Sequence, residues 1–199
     1  MDGDLAPLGE IVEIADTYDA MLMVDEAHST GVFGSTGKGV AEHLGVKDRI
    51  DVVVGTLSKS LGCHGGFIAG SQPLVDWMTN KARSYVFSTA VPEATCMAAV
   101  AALDLVETMN EERIKLLESA ANLRQVLIKQ GYNVGTSQSQ IIPVVIGDHR
   151  TTLSYHDQLK QKGLFVPAIR PPSVPNGESM LRISLNTSHT EEMIKDLVN

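Results

Sequence analysis

The chain has 199 residues, of which 43% are hydrophobic and 20% charged, and its formal net charge is −8. This is the composition of an ordinary globular protein, and it excludes the disordered and fibrous classes. The acidic balance argues against non-specific binding to nucleic acid. The longest apolar stretch, Cys96 to Val106, is too short to span a membrane and is predicted to be a buried helix.

Only two cysteines occur, Cys63 and Cys96. Two cysteines are not a disulfide framework, so a reducing compartment, the cytoplasm, is the expected location. His64 follows Cys63, but neither cysteine has a partner at the spacing of zinc ligands. We interpret the pair as a buried thiol beside a loop histidine, and we predict no metal site.

The first hundred residues alternate between helical patterns and short apolar runs. A helix is predicted to begin at Pro7, whose missing N–H costs nothing in a first helical turn. Three apolar runs predict strands: Met21–Val24, Val52–Val54 and Phe67–Ala69. Apolar runs that alternate with helices are typical of an α/β sheet whose strands are buried on both faces.

From Pro92 the pattern becomes helical and then mixed. Helices are predicted over Ala94–Met109, Glu111–Gln130, Thr151–Lys162 and Thr190–Val198. Strands are predicted over Ile141–Ile146, where Pro143 favours a sheet edge, and over Leu181–Leu185. We therefore expect part of a large domain over residues 1–110, a connecting helix over 111–134 and a small α/β domain over 135–199.

Polar side chains follow two of the predicted strands. Asp25 and His28 come after the first strand, and Thr56, Ser58 and Lys59 come after the second. Ligands of open α/β sheets bind beyond the carboxyl ends of the strands, so these residues are predicted to share one rim. A lysine in such a loop is expected to be less hydrated than one on a helix face, which favours nucleophilic or Schiff-base chemistry. The nearby hydroxyls and glycines suit a phosphate group.

Each of these residues, taken singly, also has an ordinary structural interpretation. Lys59, taken alone, is more typical of a surface lysine near a glycine-rich loop. Asp25 fits a carboxylate that caps a loop, and His28 fits a loop histidine bonded to the backbone. The residues alone leave these alternatives open.

Five sequence segments, taken in their order along the chain, together resemble one enzyme family. The segments are Val24–Gly31, Gly55–Gly62, Tyr85–Pro92, Ala168–Pro175 and Leu181–Leu185. They resemble the α-oxoamine synthases, which belong to the fold-type I (aspartate aminotransferase-like) enzymes that use pyridoxal phosphate (PLP). The resemblance covers nearly the whole chain. It implies an α/β fold with part of the large PLP-binding domain and the small C-terminal domain.

The resemblance also implies a chemistry and a role for each residue. The family condenses an amino acid with an acyl-CoA thioester and releases carbon dioxide and CoA. Lys59 resembles the lysine that binds PLP covalently and moves protons at the substrate α-carbon. Asp25 resembles the partner of the pyridine nitrogen, and His28 resembles the histidine that binds the phenolic oxygen. Thr56 resembles a phosphate ligand, and Ser58 is expected to line the same cofactor site.

Other implied roles concern a partner subunit and the substrate. Ser88 and Thr89 resemble the segment that reaches the phosphate of the neighbouring subunit, because these enzymes are homodimers. Arg182 resembles the arginine that binds the substrate carboxylate, a task that suits a guanidinium fork. Without the resemblance, Arg182 would be interpreted as a strand-surface arginine.

The substrate is indicated by one segment. Ala168–Pro175 is most similar to members that join L-alanine to pimeloyl-CoA, or to a pimeloyl carrier protein, in biotin synthesis. The alternatives are members of the glycine C-acetyltransferase, 5-aminolevulinate synthase or serine palmitoyltransferase type. A noncatalytic homologue that pairs with a full-length subunit and an unrelated α/β binding domain are further alternatives.

The chain lacks counterparts of the N-terminal half of the family. That half supplies a histidine that stacks on the PLP ring and a glycine-containing loop that binds its phosphate. The resemblance therefore implies a fragment that binds PLP poorly, does not turn over alone and exposes apolar strand edges. A targeting signal in the missing half would place the protein in an organelle instead of the cytoplasm.

Overall fold

The computed structural model describes residues 1–198, which divide into two units. One unit, Pro7–Arg113, contains Lys59 and is called the lysine unit. The other contains Arg182, comprises Met1–Ala6 and residues 114–198, and is called the arginine unit. The domain boundaries at residues 110 and 135 stay a prediction.

The lysine unit contains a three-stranded sheet and the first five helices. The strands are β1 (Met23–Asp25), β2 (Val52–Thr56) and β3 (Gly66–Gly70). The helices are α1 (Leu8–Thr17), α2 (Val40–His43), α3 (Gln72–Lys81), α4 (Arg83–Val86) and α5 (Glu93–Thr108), and a 3-10 turn covers Lys47–Arg49. Consecutive valines in β2 favour a strand because branched side chains fit a pleated surface. Strand β1 runs parallel to β2, and β3 runs antiparallel to it.

All three strands overlap the predicted runs, with β1 beginning two residues later at Met23, but the predicted burial on both faces is wrong for β1 and β3. The side chain of Met23 in β1 is 67% exposed, and that of Ile68 in β3 is 43% exposed. Helix α5, predicted to be buried, exposes Met97 and Leu105 and buries only Ala99. The physical reason is that no second layer covers these apolar surfaces among residues 1–198.

The arginine unit contains a second three-stranded sheet, with the order β4-β6-β5. The strands are β4 (Ile141–Gly147), β5 (Ala168–Ile169) and β6 (Ser179–Ser184). The helices are α6 (Asn110–Lys129), which begins in the lysine unit, α7 (His149–Gln161) and α8 (Glu191–Val198). Strand β4 pairs only with β6 within the described chain, so the predicted edge position of Pro143 is confirmed.

The core of the arginine unit is well covered. Ile142 has no exposed surface, and consecutive residues on either side of it in β4, Ile141 to Val144, are buried, as are Ser179 to Leu181 in β6. Gly3 is attached to the segment before β4, because its carbonyl accepts hydrogen bonds from the backbone N–H groups of Gln138 and Ser139. Its φ of +75° is one that glycine adopts without strain.

Helix α7 has a side-chain cap. Asp148 precedes α7 and accepts hydrogen bonds from the N–H and the hydroxyl of Thr151, both at 2.8 Å. These hydrogen bonds lower the pKa of Asp148 because they favour its charged form. The predicted helix over Thr151–Lys162 is thus confirmed, with its start two residues earlier.

Residues 1–198 contain neither a membrane-spanning helix nor a cluster of metal-binding side chains. No helix in this part of the chain is long and apolar enough to cross a membrane. No cluster of three or more histidine, cysteine, aspartate or glutamate side chains there is arranged to hold a metal ion. Cys63 is half-buried and Cys96 is exposed, both as free thiols.

Candidate active site

The carboxyl ends of β1 and β2 form the edge on which the predicted site residues lie. The two strands are parallel neighbours, with Asp25 aligned with Val54 and Thr56 at the end of β2. Parallel strands end at the same edge of a sheet, so the chain leaves both strands on one side. The turn after β1 carries His28, and the turn after β2 carries Lys59. The predicted common rim is therefore present.

Asp25 is exposed at this rim. One carboxylate oxygen, Oδ1, accepts a hydrogen bond from the N–H of Ala27 at 2.8 Å. This bond fixes the carboxylate at the start of the turn, as short acidic side chains commonly do. His28 follows in the same turn with an exposed side chain.

Lys59 lies in a tightly closed loop. Thr56 Oγ1 donates to the carbonyl of Gly65 at 3.1 Å and lies 2.8 Å from Ser58 Oγ. The N–H of Cys63 donates to the carbonyl of Leu57 at 2.7 Å, and the N–H of Gly62 donates to that of Lys59 at 3.0 Å. The backbone around Lys59 is therefore held on both sides. We call residues 57–65 the lysine loop.

The expected loss of hydration at Lys59 is a wrong prediction for residues 1–198. Lys59 is exposed, as are Ser58 and Ser60 on either side. The reason is geometric, because a turn that ends an uncovered strand presents its side chains to solvent. The segments that carry Lys59 and Asp25 nevertheless leave the sheet at the same edge.

Ser88 and Thr89 lie in the segment between α4 and α5, and both are exposed. The Ser88 hydroxyl donates a hydrogen bond to the carbonyl of Ser84, one turn earlier. Phe87 beside them is also exposed. The predicted role of this pair toward a neighbouring subunit stays a prediction.

Arg182 lies on β6 in the arginine unit, opposite Pro143. Its side chain is half-buried, and its Nε is buried with no hydrogen-bond partner among the described residues. Burial lowers the pKa of Arg182, and the nearby charge of Asp2 partly opposes this effect. A buried guanidinium nitrogen without an acceptor is a donor that an anionic ligand could satisfy.

Residues that the sequence did not single out hold the rim in place. Glu26 is only 1% exposed, although it directly follows Asp25. Its carboxylate accepts hydrogen bonds from the Ser29 hydroxyl and from the N–H groups of Val40 at 2.9 Å and Ala41 at 2.8 Å. The close packing also requires glycine at position 39, where a Cβ would lie 2.5 Å from the Glu26 carboxylate, but no local sequence pattern indicates this contact.

Two more charged side chains fasten the loop over residues 31–39, which we call the glycine loop. Arg113 is 3% exposed and donates to the carbonyls of Gly34, Ser35 and Val106. Glu42 accepts hydrogen bonds from backbone and hydroxyl groups of Ser35, Thr36 and Lys38. Burial raises the pKa of Glu42, but these hydrogen bonds outweigh it and the net shift is downward.

The chain matches the model of one protein family, aminotransferase class I and II, over residues 1–199. The chain belongs to this family. It is 46% identical over 192 residues to the putative 8-amino-7-oxononanoate synthase of Acetivibrio thermocellus, covering 96% of the chain and 50% of that protein. The chain thus spans about half the length of the curated relatives it matches.

Solved structures agree with the family. Serine palmitoyltransferase from S. paucimobilis with bound PLP–myriocin has a TM-score of 0.94 and 36% identity, covering 100% of this chain and 50% of that one. The 8-amino-7-oxononanoate synthase of Francisella tularensis has a TM-score of 0.84 at 24% identity, covering 98% and 57%. At that identity the likeness shows the fold alone. The predicted fold-type I architecture and the resemblance to the α-oxoamine synthases are confirmed.

Proposed function

We propose that the chain carries part of the active site of an α-oxoamine synthase that condenses L-alanine with pimeloyl-CoA, or a pimeloyl carrier protein. The product would be 8-amino-7-oxononanoate, an intermediate of biotin synthesis. The observation that carries the proposal is the shared edge of β1 and β2, because Asp25 ends β1 there and the turn after β2 carries the hydroxyls of Thr56 and Ser58 and the amine of Lys59. The 46% identity to a relative named for this activity supports the substrate assignment.

The donor set on this edge fits PLP. The cofactor, when bound, supplies an electron sink for a carbanion at the substrate α-carbon. We infer that the Lys59 amine would hold the cofactor covalently and would move the α-proton. The Asp25 carboxylate, fixed by its bond to Ala27, would hold a proton on the pyridine nitrogen. His28, in the same turn, would donate to the phenolic oxygen.

The phosphate group would be bound by hydroxyls. Thr56 and Ser58 form a hydrogen-bonded pair of hydroxyls at the start of the lysine loop, and hydroxyl groups suit a phosphate. Ser88 and Thr89 are exposed and are proposed to reach the phosphate of the other subunit of a homodimer. Arg182, with its unpartnered Nε, is proposed to bind the substrate carboxylate.

A second candidate function, that of a serine palmitoyltransferase, is supported by the comparison with solved structures. Serine palmitoyltransferase matches at a TM-score of 0.94 and 36% identity. Glycine C-acetyltransferase and 5-aminolevulinate synthase types are further alternatives, as is a noncatalytic subunit. Retention of Lys59, Asp25 and His28 argues against a noncatalytic role, since each supplies a group the chemistry needs. Assays with matched amino acid and acyl-CoA pairs separate these members.

We expect the chain on its own to bind PLP weakly and not to turn over. The physical reason is the exposure of Lys59 and Asp25, since an exposed amine and an exposed carboxylate interact weakly with a ligand that water also solvates. A monomeric chain that is active with alanine and pimeloyl-CoA would contradict this expectation.

The experiment is borohydride trapping of the chain with saturating PLP, followed by peptide mass mapping. We expect a pyridoxyl group mainly on Lys59, lost in Lys59→Ala and retained in Lys81→Ala, which changes an exposed lysine of helix α3. Labelling spread evenly over many lysines would remove the proposed cofactor role from this edge.

A further inference from the structure

A buried carboxylate next to the rim has no part in the proposed chemistry. Glu26 follows the proposed PLP ligand Asp25, but it points away from solvent and is 1% exposed. Burial of an ionised carboxylate is costly unless it is hydrogen-bonded. The three donors that the structure gives it, Ser29 Oγ, Val40 N and Ala41 N, are all neutral. The carboxylate therefore depends on their placement, and they depend on it.

The same residue also organises the backbone of the turn. The carbonyl of Glu26 accepts from the N–H groups of Ser29 at 3.0 Å and Thr30 at 2.8 Å. It also accepts from the Thr30 hydroxyl at 2.9 Å. Its N–H donates to the carbonyl of Val54 in β2 at 2.7 Å. Side chain and backbone of Glu26 thus fix both ends of the turn that carries His28.

A direct bond connects this turn to the lysine loop. The hydroxyl of Ser60 donates to the carbonyl of Thr30 across the two strand ends. A Cβ on Gly31 would lie 2.8 Å from Ser60 Oγ, so the two segments approach closely here. The contact leads from Lys59, through Ser60 and Thr30, to the turn that Glu26 fixes.

We propose that Glu26 is a positioning residue that sets the turn carrying Asp25 and His28 and, through Thr30 and Ser60, the lysine loop. The proposal rests on the proposed function for its relevance to PLP. The proposal states that the turn carrying His28 and the lysine loop are coupled, and this coupling can be measured without the cofactor. A merely structural Glu26 would stabilise the fold without transmitting any change selectively to the lysine loop.

The test is hydrogen–deuterium exchange of the full chain with Glu26→Gln. In this variant the NH2 group of the glutamine replaces one of the two carboxylate oxygens and faces the N–H of Val40 or Ala41. That buried N–H group then has no acceptor. We expect exchange over residues 28–41 to rise about tenfold and exchange of the lysine loop to rise about threefold. The matched control is Glu42→Gln, which releases Thr36 and Lys38 and is expected to affect the glycine loop only.

The decisive comparison uses Ser60→Ala, which removes the link at an exposed position. In that background Glu26→Gln should still loosen residues 28–41 but should no longer change the lysine loop. A lysine loop that responds equally with and without Ser60, or that ignores Glu26→Gln, would overturn the proposal. If Glu26→Gln fails to fold, Ser60→Ala alone decides, because the proposal requires faster exchange on both sides of the link.

Trapping with PLP separates this proposal from the proposed function. Lys59 labelling should fall at least threefold in Glu26→Gln and in Ser60→Ala, and it should stay unchanged in Glu42→Gln. Loop coupling with no specific Lys59 labelling in the unchanged chain would overturn the cofactor role and leave the coupling standing. Equal losses of labelling in Glu26→Gln and Glu42→Gln would show a general effect on folding and overturn positioning.

Discussion

The two sheets contain similar apolar residues but differ in how far those residues are exposed to solvent. Ile142 in the arginine unit has no exposed surface, whereas Ile68 in the lysine unit is 43% exposed. Helix α7 packs against both β4 and β6, while in the lysine unit only α3 packs substantially on a strand, β3. The comparison teaches that an apolar strand pattern specifies a strand, and that the presence of a covering layer decides whether it is buried.

The largest expected effect comes from matched truncations in the two sheets. Ile142→Ala should lower the free energy of unfolding by about 2–5 kcal/mol, because it leaves a cavity in a closed core. Ile68→Ala should cost about 1 kcal/mol or less, because much of the side chain is already in water. Urea unfolding followed by circular dichroism measures both. Equal losses would show that the lysine-unit sheet is covered in solution.

The second comparison uses two glycines. A methyl group at Gly3 would lie 2.0 Å from the carbonyl oxygen of Ile141, at a φ of +75°, whereas a methyl group at Gly9 meets nothing within 4 Å. We expect Gly3→Ala to destabilise the chain by roughly 2–4 kcal/mol. Gly9→Ala, in helix α1, should stabilise it by up to about 1 kcal/mol. Thermal unfolding decides, and a stabilising Gly3→Ala would refute the closed packing at Ile141.

The smallest expected effect is a pH dependence at the start of α7. The pKa of Asp148 is lowered in the folded chain, so its cap stabilises above the ordinary aspartate pKa and is lost as pH falls through the lowered value. Asp148→Asn, which does not titrate, should therefore be less stable than the unchanged chain at pH 7. The difference should shrink below about pH 4. A difference that is constant between pH 7 and pH 3 would contradict a charged cap.

Much of the fold was predictable because it is encoded locally. Apolar runs in the sequence predict β1, β2 and β4. The polar residues that follow β1 and β2 predict that the segments carrying Asp25 and Lys59 lie at one edge of the sheet. Pro143 predicts that β4 lies at the edge of its sheet, because proline has no backbone N–H to donate to a neighbouring strand.

The remainder depends on contacts between distant residues. Glu26 looks like any second acid in an acidic pair, and only the N–H groups of Val40 and Ala41 show why it is buried. The Ser60 bond to Thr30 joins two loops whose approach no local pattern reveals. The exposure of Lys59 and of helix α5 was missed because both depend on layers of structure beyond the segment itself.

The open edges of the lysine-unit sheet have a consequence for how the purified chain behaves in solution. Strands β1 and β3 each have one neighbour among residues 1–198, and the apolar Met23 and Ile68 are exposed on them. Edge strand β4 carries Pro143, which removes one donor from strand addition. Association between copies of the purified chain should therefore begin at the lysine-unit sheet.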